Sequence, residues 1–194
     1  MSSTRNIYIK PLTLDEAKAV YIGNAHRDFP SDELKPFSMI ERLWNRWCYF
    51  GYGFYEDDIL RAYAFLLADD STNMLLLDYF AVCENARGKG YGAEALALLK
   101  EHCMEWDGII FEVEDDTCAE SDEERQIRLR RISFYEKCGV VMTDVRSHVF
   151  GVDYRLMVMQ LAAKDAGERI GEKLTSMYKI MLPKSDFDSV FRLK

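Results

Sequence analysis

Residues 75–100 read LLLDYFAVCENARGKGYGAEALALLK, a strand pattern that leads directly into a helix pattern. The apolar run ends at Val82, and strong helix formers follow Gly92. Between them lies the segment ARGKGYG, the glycine loop (residues 86–92). Glycines let the backbone turn tightly and approach a ligand closely, and the free N–H groups at a helix start attract anions. The glycine loop therefore predicts a site for a phosphate or pyrophosphate group.

The elements on either side of this stretch predict a mixed fold. Hydrophobic patterns predict strands at 6–12, 48–55, 60–68, 74–82, 109–114, 140–150 and 154–161. They predict helices at 36–47 and 92–103, one that ends at Cys138-Gly139, and one at 166–181. Thr13 and Glu16 fit a capping box at the start of a further helix. This order predicts an α+β fold with a mixed, partly antiparallel sheet flanked by helices.

The residues alone leave more than one ligand open for the glycine loop. GKGYGA fits the GxGxxA pattern of dinucleotide sites, and Glu112 follows on the next predicted strand. However, CENAR separates these glycines from their strand, and three hairpin-like strands come before them. A P-loop is excluded because no Lys-Ser/Thr pair follows the last glycine. A nicotinamide-binding enzyme and a turn without a ligand therefore remain alternatives.

Two motifs resemble those of the GNAT family of N-acetyltransferases. Arg87, Gly90 and Gly92 match the family's coenzyme A signature Q/R-x-x-G-x-G/A. ISFYEKCGV, residues 132–140, resembles the family's FYEKxGF segment. The resemblance implies a GNAT domain over residues 5–162, with a helical tail at 163–194 outside the minimal family fold. It also implies acetyl-CoA as the donor, and direct attack by a primary amine in a ternary complex.

The resemblance also implies site residues. Acetyl-CoA would contact the backbone of Phe80, Ala81 and Val82 and the loop residues Arg87, Gly88, Lys89, Gly90, Tyr91, Gly92 and Ala93. Tyr135 of the FYEK segment would protonate the leaving thiolate. Many family members carry Asn and Ala where this chain has Arg128 and Arg131. A non-catalytic CoA-binding regulatory domain is therefore the alternative function.

Amine acetylation also needs a group that removes a proton from the ammonium ion. Glu112 and Glu114 lie two apart on one predicted strand and so share a face. Asp78 lies within an apolar strand, where a carboxylate is costly unless it is paired or solvated. Any of the three could take the proton directly or through water, or attract the cation, and Glu114 and Asp78 are the preferred candidates. Salt bridges to Arg128, Arg130 or Arg131 are the alternative explanation for these carboxylates.

Composition and charge limit the kinds of partner that the chain is expected to bind. The 194 residues carry a formal net charge of −8, which disfavours non-specific binding to nucleic acid. The five cysteines form no CxxC or Cys/His cluster, so we expect neither a disulfide framework nor a metal site. The segment MSSTRNIYIK lacks the apolar core of a signal peptide, and no run is long enough for a membrane span. We expect a cytoplasmic enzyme that acts on a small-molecule or peptide amine.

The tail carries an apolar stripe of its own. Ile170, Leu174, Tyr178 and Met181 recur at helical spacing, and such a stripe is rarely left in solvent. We expect it to pack on its own domain, on a second subunit of a homodimer, or beside the acceptor cleft.

Overall fold

A computed structural model describes residues 5–31 and 33–194. The strands are β1 (Tyr8–Pro11), β2 (Tyr49–Glu56), β3 (Ile59–Asp69), β4 (Met74–Val82), β5 (Gly108–Glu114), β6 (Val141–Val149), β7 (Val152–Gln160) and β8 (Phe191–Leu193). The helices are α1 (Leu14–Val20), α2 (His26–Asp28), α3 (Phe37–Trp44), α4 (Tyr91–His102), α5 (Asp122–Lys137), α6 (Ile170–Met181) and α7 (Phe187–Val190). The first four residues of MSSTRNIYIK lie outside the described residues.

The strands form a mixed, mostly antiparallel sheet with flanking helices, which confirms the predicted α+β class. Within the described ranges, no helix is both long enough and apolar enough to cross a membrane.

The chain divides into two compact units, and the first comprises residues up to 67 together with 78–102. Its strand order is β1-β2-β3-β4, and both β1 and β3 are antiparallel to β2. Phe54, Tyr63 and Phe65 are fully buried in its core. This unit contains the whole glycine loop and the second half of β4.

The second unit comprises residues 68–77 and 103–194, with the strand order β4-β5-β7-β6-β8. The first four residues of β4 pair parallel with β5, from Met74 opposite Gly108 onward. The other pairings are antiparallel. This division differs from the predicted boundary at 162/163, and the assignment of 5–162 to one transferase domain stays a prediction.

Local sequence signals agree with the structure at one helix start and differ at another. The capping box at the start of α1 is confirmed: the Glu16 carboxylate accepts a bond from the Thr13 N–H at 2.8 Å, and the Thr13 hydroxyl accepts one from the Glu16 N–H. The tail helix begins at Ile170 rather than at Ala166, because Arg169 adopts a left-handed conformation with φ of 52°. Strand β8 was not predicted.

Candidate functional site

The glycine loop has the backbone geometry that its sequence predicts. A short 3-10 turn at Glu84–Ala86 follows β4, and α4 begins at Tyr91. Gly88 and Gly90 have φ angles of +72° and +91°, in the left-handed region that favours glycine. A Cβ added at Gly88 would meet no atom within 4 Å, so the loop surface is open there. A ligand can therefore approach this backbone closely.

Three consecutive amides of the loop have no hydrogen-bond partner among the residues that the structure describes. Across residues 5–31 and 33–194, the N–H groups of Gly88, Lys89 and Gly90 donate to no other group of the chain. Further along, in the first turn of α4, the N–H groups of Ala93 and Glu94 bond to the Gly90 carbonyl at 3.1 and 3.3 Å. Unpaired N–H groups directly before a helix carry partial positive charge. Their chemistry fits an anionic ligand.

The motif arginine anchors the loop. Its Nε donates to the Val82 carbonyl at 3.1 Å, and another nitrogen lies 2.7 Å from Oδ1 of Asp28. The Asp28 side chain is fully buried and also accepts a hydrogen bond from Tyr63. The guanidinium of Arg87 thus ties the loop to α2, a role for Asp28 that the sequence did not indicate.

Arg5 brings positive charge to the loop from outside the motif. A Cβ added at Gly90 would lie 3.5 Å from a guanidinium nitrogen of Arg5. The same guanidinium lies over the Tyr91 ring at 4.7 Å and pairs with Glu94 at 3.0 Å. This placement could not be predicted from the sequence, because Arg5 precedes the first strand and belongs to no motif.

The residues predicted to contact the ligand differ in their burial and in the hydrogen bonds that their side chains make. Tyr91 is buried, and its hydroxyl donates to Glu56, so that its ring serves packing. Lys89 is exposed, and its ammonium donates to the Asn85 carbonyl at 2.8 Å. Gly92 is buried and Ala93 is exposed in the first turn of α4. On β4, Phe80, Ala81 and Val82 are partly buried.

Asp78 is paired rather than solvated. Its side chain is 3% exposed, with Oδ1 at 2.6 Å from Nζ of Lys35 and Oδ2 at 2.5 Å from the Tyr49 hydroxyl. The sequence shows that an acid in this strand needs a partner, but it does not show which residue supplies it.

In the second unit, Glu114 and Glu112 have different partners. Glu114 forms ion pairs with Arg131 and with Arg128, which is the alternative explanation that the sequence left open. The Glu112 carboxylate accepts hydrogen bonds from Ser147 at 2.7 Å and from Tyr178 of the tail helix at 2.5 Å. Glu112 and Glu114 therefore do not share one set of contacts.

Tyr135 also lies in the second unit. Its ring packs edge-on against Phe111, with centroids 5.0 Å apart. Burial raises the pKa of its phenol to about 12, opposed in part by Arg131. The phenol therefore keeps its proton at neutral pH, as a proton donor must.

A family model and several solved structures match this chain. The model of the acetyltransferase (GNAT) family matches residues 19–140. A Bacteroides thetaiotaomicron protein assigned to that family is 22% identical with a TM-score of 0.66, over 88% of this chain and 97% of its own. A Bacillus subtilis acetyltransferase in complex with CoA is 16% identical with a TM-score of 0.53, over 81% and 99%. An Elizabethkingia anophelis GNAT family acetyltransferase with acetyl-CoA bound is 18% identical with a TM-score of 0.54, over 81% and 100%. No curated protein matches the sequence.

Proposed function

The chain belongs to the GNAT family of acetyltransferases, and on that premise we propose that it transfers the acetyl group of acetyl-CoA to a primary amine by direct attack in a ternary complex. The observation that carries the proposal is the row of unpaired amides at Gly88, Lys89 and Gly90, directly before α4. The CoA and acetyl-CoA bound to the two similarly folded proteins support the choice of donor.

The residues of the loop fit the diphosphate of such a donor. Successive N–H groups next to a helix start can each donate to a phosphate oxygen. The positive φ angles of Gly88 and Gly90 and the open surface at Gly88 allow close approach. Arg5 and Lys89 add positive charge beside the loop. We assign the diphosphate to this loop and the pantetheine arm to the backbone of 80–82.

Transfer then requires two proton movements by residues of this chain. The donor supplies a thioester, whose carbon–sulfur bond breaks as the amine nitrogen bonds to the carbonyl carbon. A carboxylate takes a proton from the amine, and a donor gives one to the sulfur. We assign the second role to Tyr135, as the family resemblance implies. Asp78 and Glu114 are candidates for the first role, and either carboxylate must exchange its present cation for the acceptor.

Binding is tested with a matched pair of glycine variants. Wild-type protein at about 100 times the dissociation constant of acetyl-CoA should gain about 2.7 kcal/mol of stability. Gly90→Val should lose most of that gain, because a β-branched residue is strained at φ +91° and disturbs the loop. Gly151→Val introduces the same kind of strain at φ +87° in the β6–β7 turn and should keep the gain. Melting curves of wild type and both variants, recorded with acetyl-CoA, CoA, NAD and ATP, measure the gain in stability.

Turnover is tested by free-thiol release over a library of primary amines. A response to NAD but not to acetyl-CoA would contradict the proposed donor. A response to acetyl-CoA without thiol release for any amine would favour the alternative, a non-catalytic CoA-binding regulatory domain. The engagement of Glu114 by two arginines is the observation that keeps this alternative open.

A further inference from the structure

Lys35 places a primary ammonium group in a buried polar setting on the first unit. Its Nζ lies 2.6 Å from Oδ1 of Asp78 and 5.1 Å from the centre of the Tyr79 ring. The Lys35 and Asp78 side chains are 11% and 3% exposed. The Tyr49 hydroxyl bonds to the other oxygen of Asp78. Asp78, Tyr49 and Tyr79 together form the ammonium cage.

The chemistry of the ammonium cage suits an alkylammonium ion. The carboxylate supplies the counter-charge, and the aromatic face adds a cation–π contact that strengthens on desolvation. Burial raises the pKa of the Tyr49 phenol, with Asp78 adding to the rise, so Tyr49 stays a neutral donor to the carboxylate. A compact ammonium is a point charge, whereas a guanidinium needs a planar arrangement of acceptors.

The backbone of Lys35 is held independently of its side chain. Its N–H donates to the Tyr79 hydroxyl at 2.8 Å, and its carbonyl accepts a bond from the Tyr21 hydroxyl. The Lys35 side chain is a flexible four-carbon chain. It can therefore turn out of the cage while the backbone stays in place.

The cage also has a position that matters for acetyl transfer. Asp78 precedes Phe80 by two residues on β4, about 7 Å along a strand. Residues 80–82 are those assigned to the pantetheine arm and the thioester carbonyl. A nitrogen held at Asp78 would thus lie on the strand that aligns the donor.

We propose that the ammonium cage is the acceptor site, that it selects a primary ammonium on an unbranched alkyl chain, and that Lys35 occupies it until the acceptor displaces its side chain. The inference rests on the proposed function. After the exchange, Asp78 takes one N–H proton from the bound ammonium. The nitrogen lone pair then bonds to the carbonyl carbon as the carbon–sulfur bond breaks. The second N–H proton, which the nitrogen loses as the amide forms, balances the proton that the leaving sulfur takes up, so that CoA departs as a thiol. Lys35 keeps its charge in solvent.

The first experiment empties the cage. Lys35→Ala removes the internal ammonium together with the three methylenes beyond Cβ. The probe is n-butylammonium, a primary ammonium on an unbranched chain that is one carbon longer than the part removed. The variant should gain thermal stability from n-butylammonium but not from n-butanol, and wild type should gain little. Its KM for n-butylamine in thiol release should fall at least tenfold below that of wild type. Lys18→Ala is the matched control: the Lys18 ammonium lies over the Phe37 ring at 5.6 Å, outside the cage, and its removal should leave both measurements unchanged.

A second variant covers the case in which Lys35→Ala does not fold, since removing one partner of a buried ion pair leaves the other unpaired. The double variant Lys35→Met with Asp78→Asn leaves no unpaired charge. It should keep the melting shift with acetyl-CoA while its kcat/KM for n-butylamine falls at least tenfold below that of wild type, because both the counter-charge and the proton acceptor are gone. An unchanged kcat/KM would overturn the inference.

The outcomes separate this inference from the proposed function. If wild type acetylates primary amines and folded Lys35→Ala shows neither the stabilisation nor the lower KM, the cage is a structural ion pair and the acetyltransferase proposal stands. If no amine is acetylated by any variant, the acetyltransferase proposal fails. Selective stabilisation of Lys35→Ala by n-butylammonium would then still identify the cage as an ammonium site.

Discussion

At the scale of single residues, the sequence indicates backbone conformations more reliably than it indicates which side chains contact one another. Gly88 and Gly90 are predictable as turn glycines, because few other residues adopt positive φ easily. The partners of Asp78 are not, because Lys35 and Tyr49 are distant in sequence and meet it only through tertiary packing. The same holds for Asp28 beside Arg87. A motif thus identifies a binding loop more readily than it identifies the residues of other elements that hold the loop in place.

Tyr135 allows a direct test of catalysis at this scale. Tyr135→Phe keeps the ring that packs on Phe111 and removes the proton donor. Loss of a general acid typically lowers the rate by about 10²- to 10⁴-fold, and acetyl-CoA affinity should change little. Rates of thiol release and melting shifts with acetyl-CoA measure the two effects. Unaltered turnover in the folded variant would mean that another group protonates the sulfur.

At the scale of elements, local signals identify most helix ends. Thr13 and Glu16 give the start of α1, and Gly139, with φ of +83°, follows the end of α5. The tail helix starts late, since the left-handed turn falls on Arg169, whereas the nearby Gly167 and Gly171 do not have positive φ. Strand β8 has only three residues, too few for an alternating pattern.

The α1 capping box should respond to acid. Lys10 and the Thr13 backbone lower the pKa of Glu16 from 4.5 to about 2. Because the folded-state pKa is depressed, the stabilisation is complete above pH 4.5 and is lost as the pH falls through about 2. Glu16→Gln should destabilise the protein at pH 7 and be closer to wild type at pH 2. Urea unfolding at both pH values tests this, and an equal difference at both would contradict it.

At the scale of the whole molecule, element order is more predictable than strand pairing. Apart from the short helix α2, which was not predicted, the predicted succession of strands and helices holds from β1 to β7, because each of these elements has its own periodicity. The order β5-β7-β6-β8 is not readable, because β5 pairs with β7 rather than with the next strand in the chain. Nor could Tyr178 have been placed at Glu112 from spacing alone.

The tail should be required for folding of the second unit. Ile170, Leu174, Tyr178 and Met181 are buried, and each contributes about 1.5–3 kcal/mol, against a usual total stability of about 5–15 kcal/mol. Truncation after Ala163 should therefore leave a protein that melts earlier and scatters light. Leu174→Ala should cost about 2–5 kcal/mol, whereas Lys179→Ala, at an exposed position of α6, should cost under about 0.5 kcal/mol. Melting points and light scattering of the truncated and full chains test this prediction. Equal melting points and equal scattering would contradict it.

Strand β8 also affects how separate molecules of the protein associate. It is the last strand beside β6, and it is short, with exposed Arg192 and Lys194 at its end. Long uncharged strands at a sheet border offer free N–H and carbonyl groups to strands of other molecules, whereas short strands with positive charge discourage such docking. This border of the sheet is thereby protected against strand-by-strand growth into fibrils at high protein concentration.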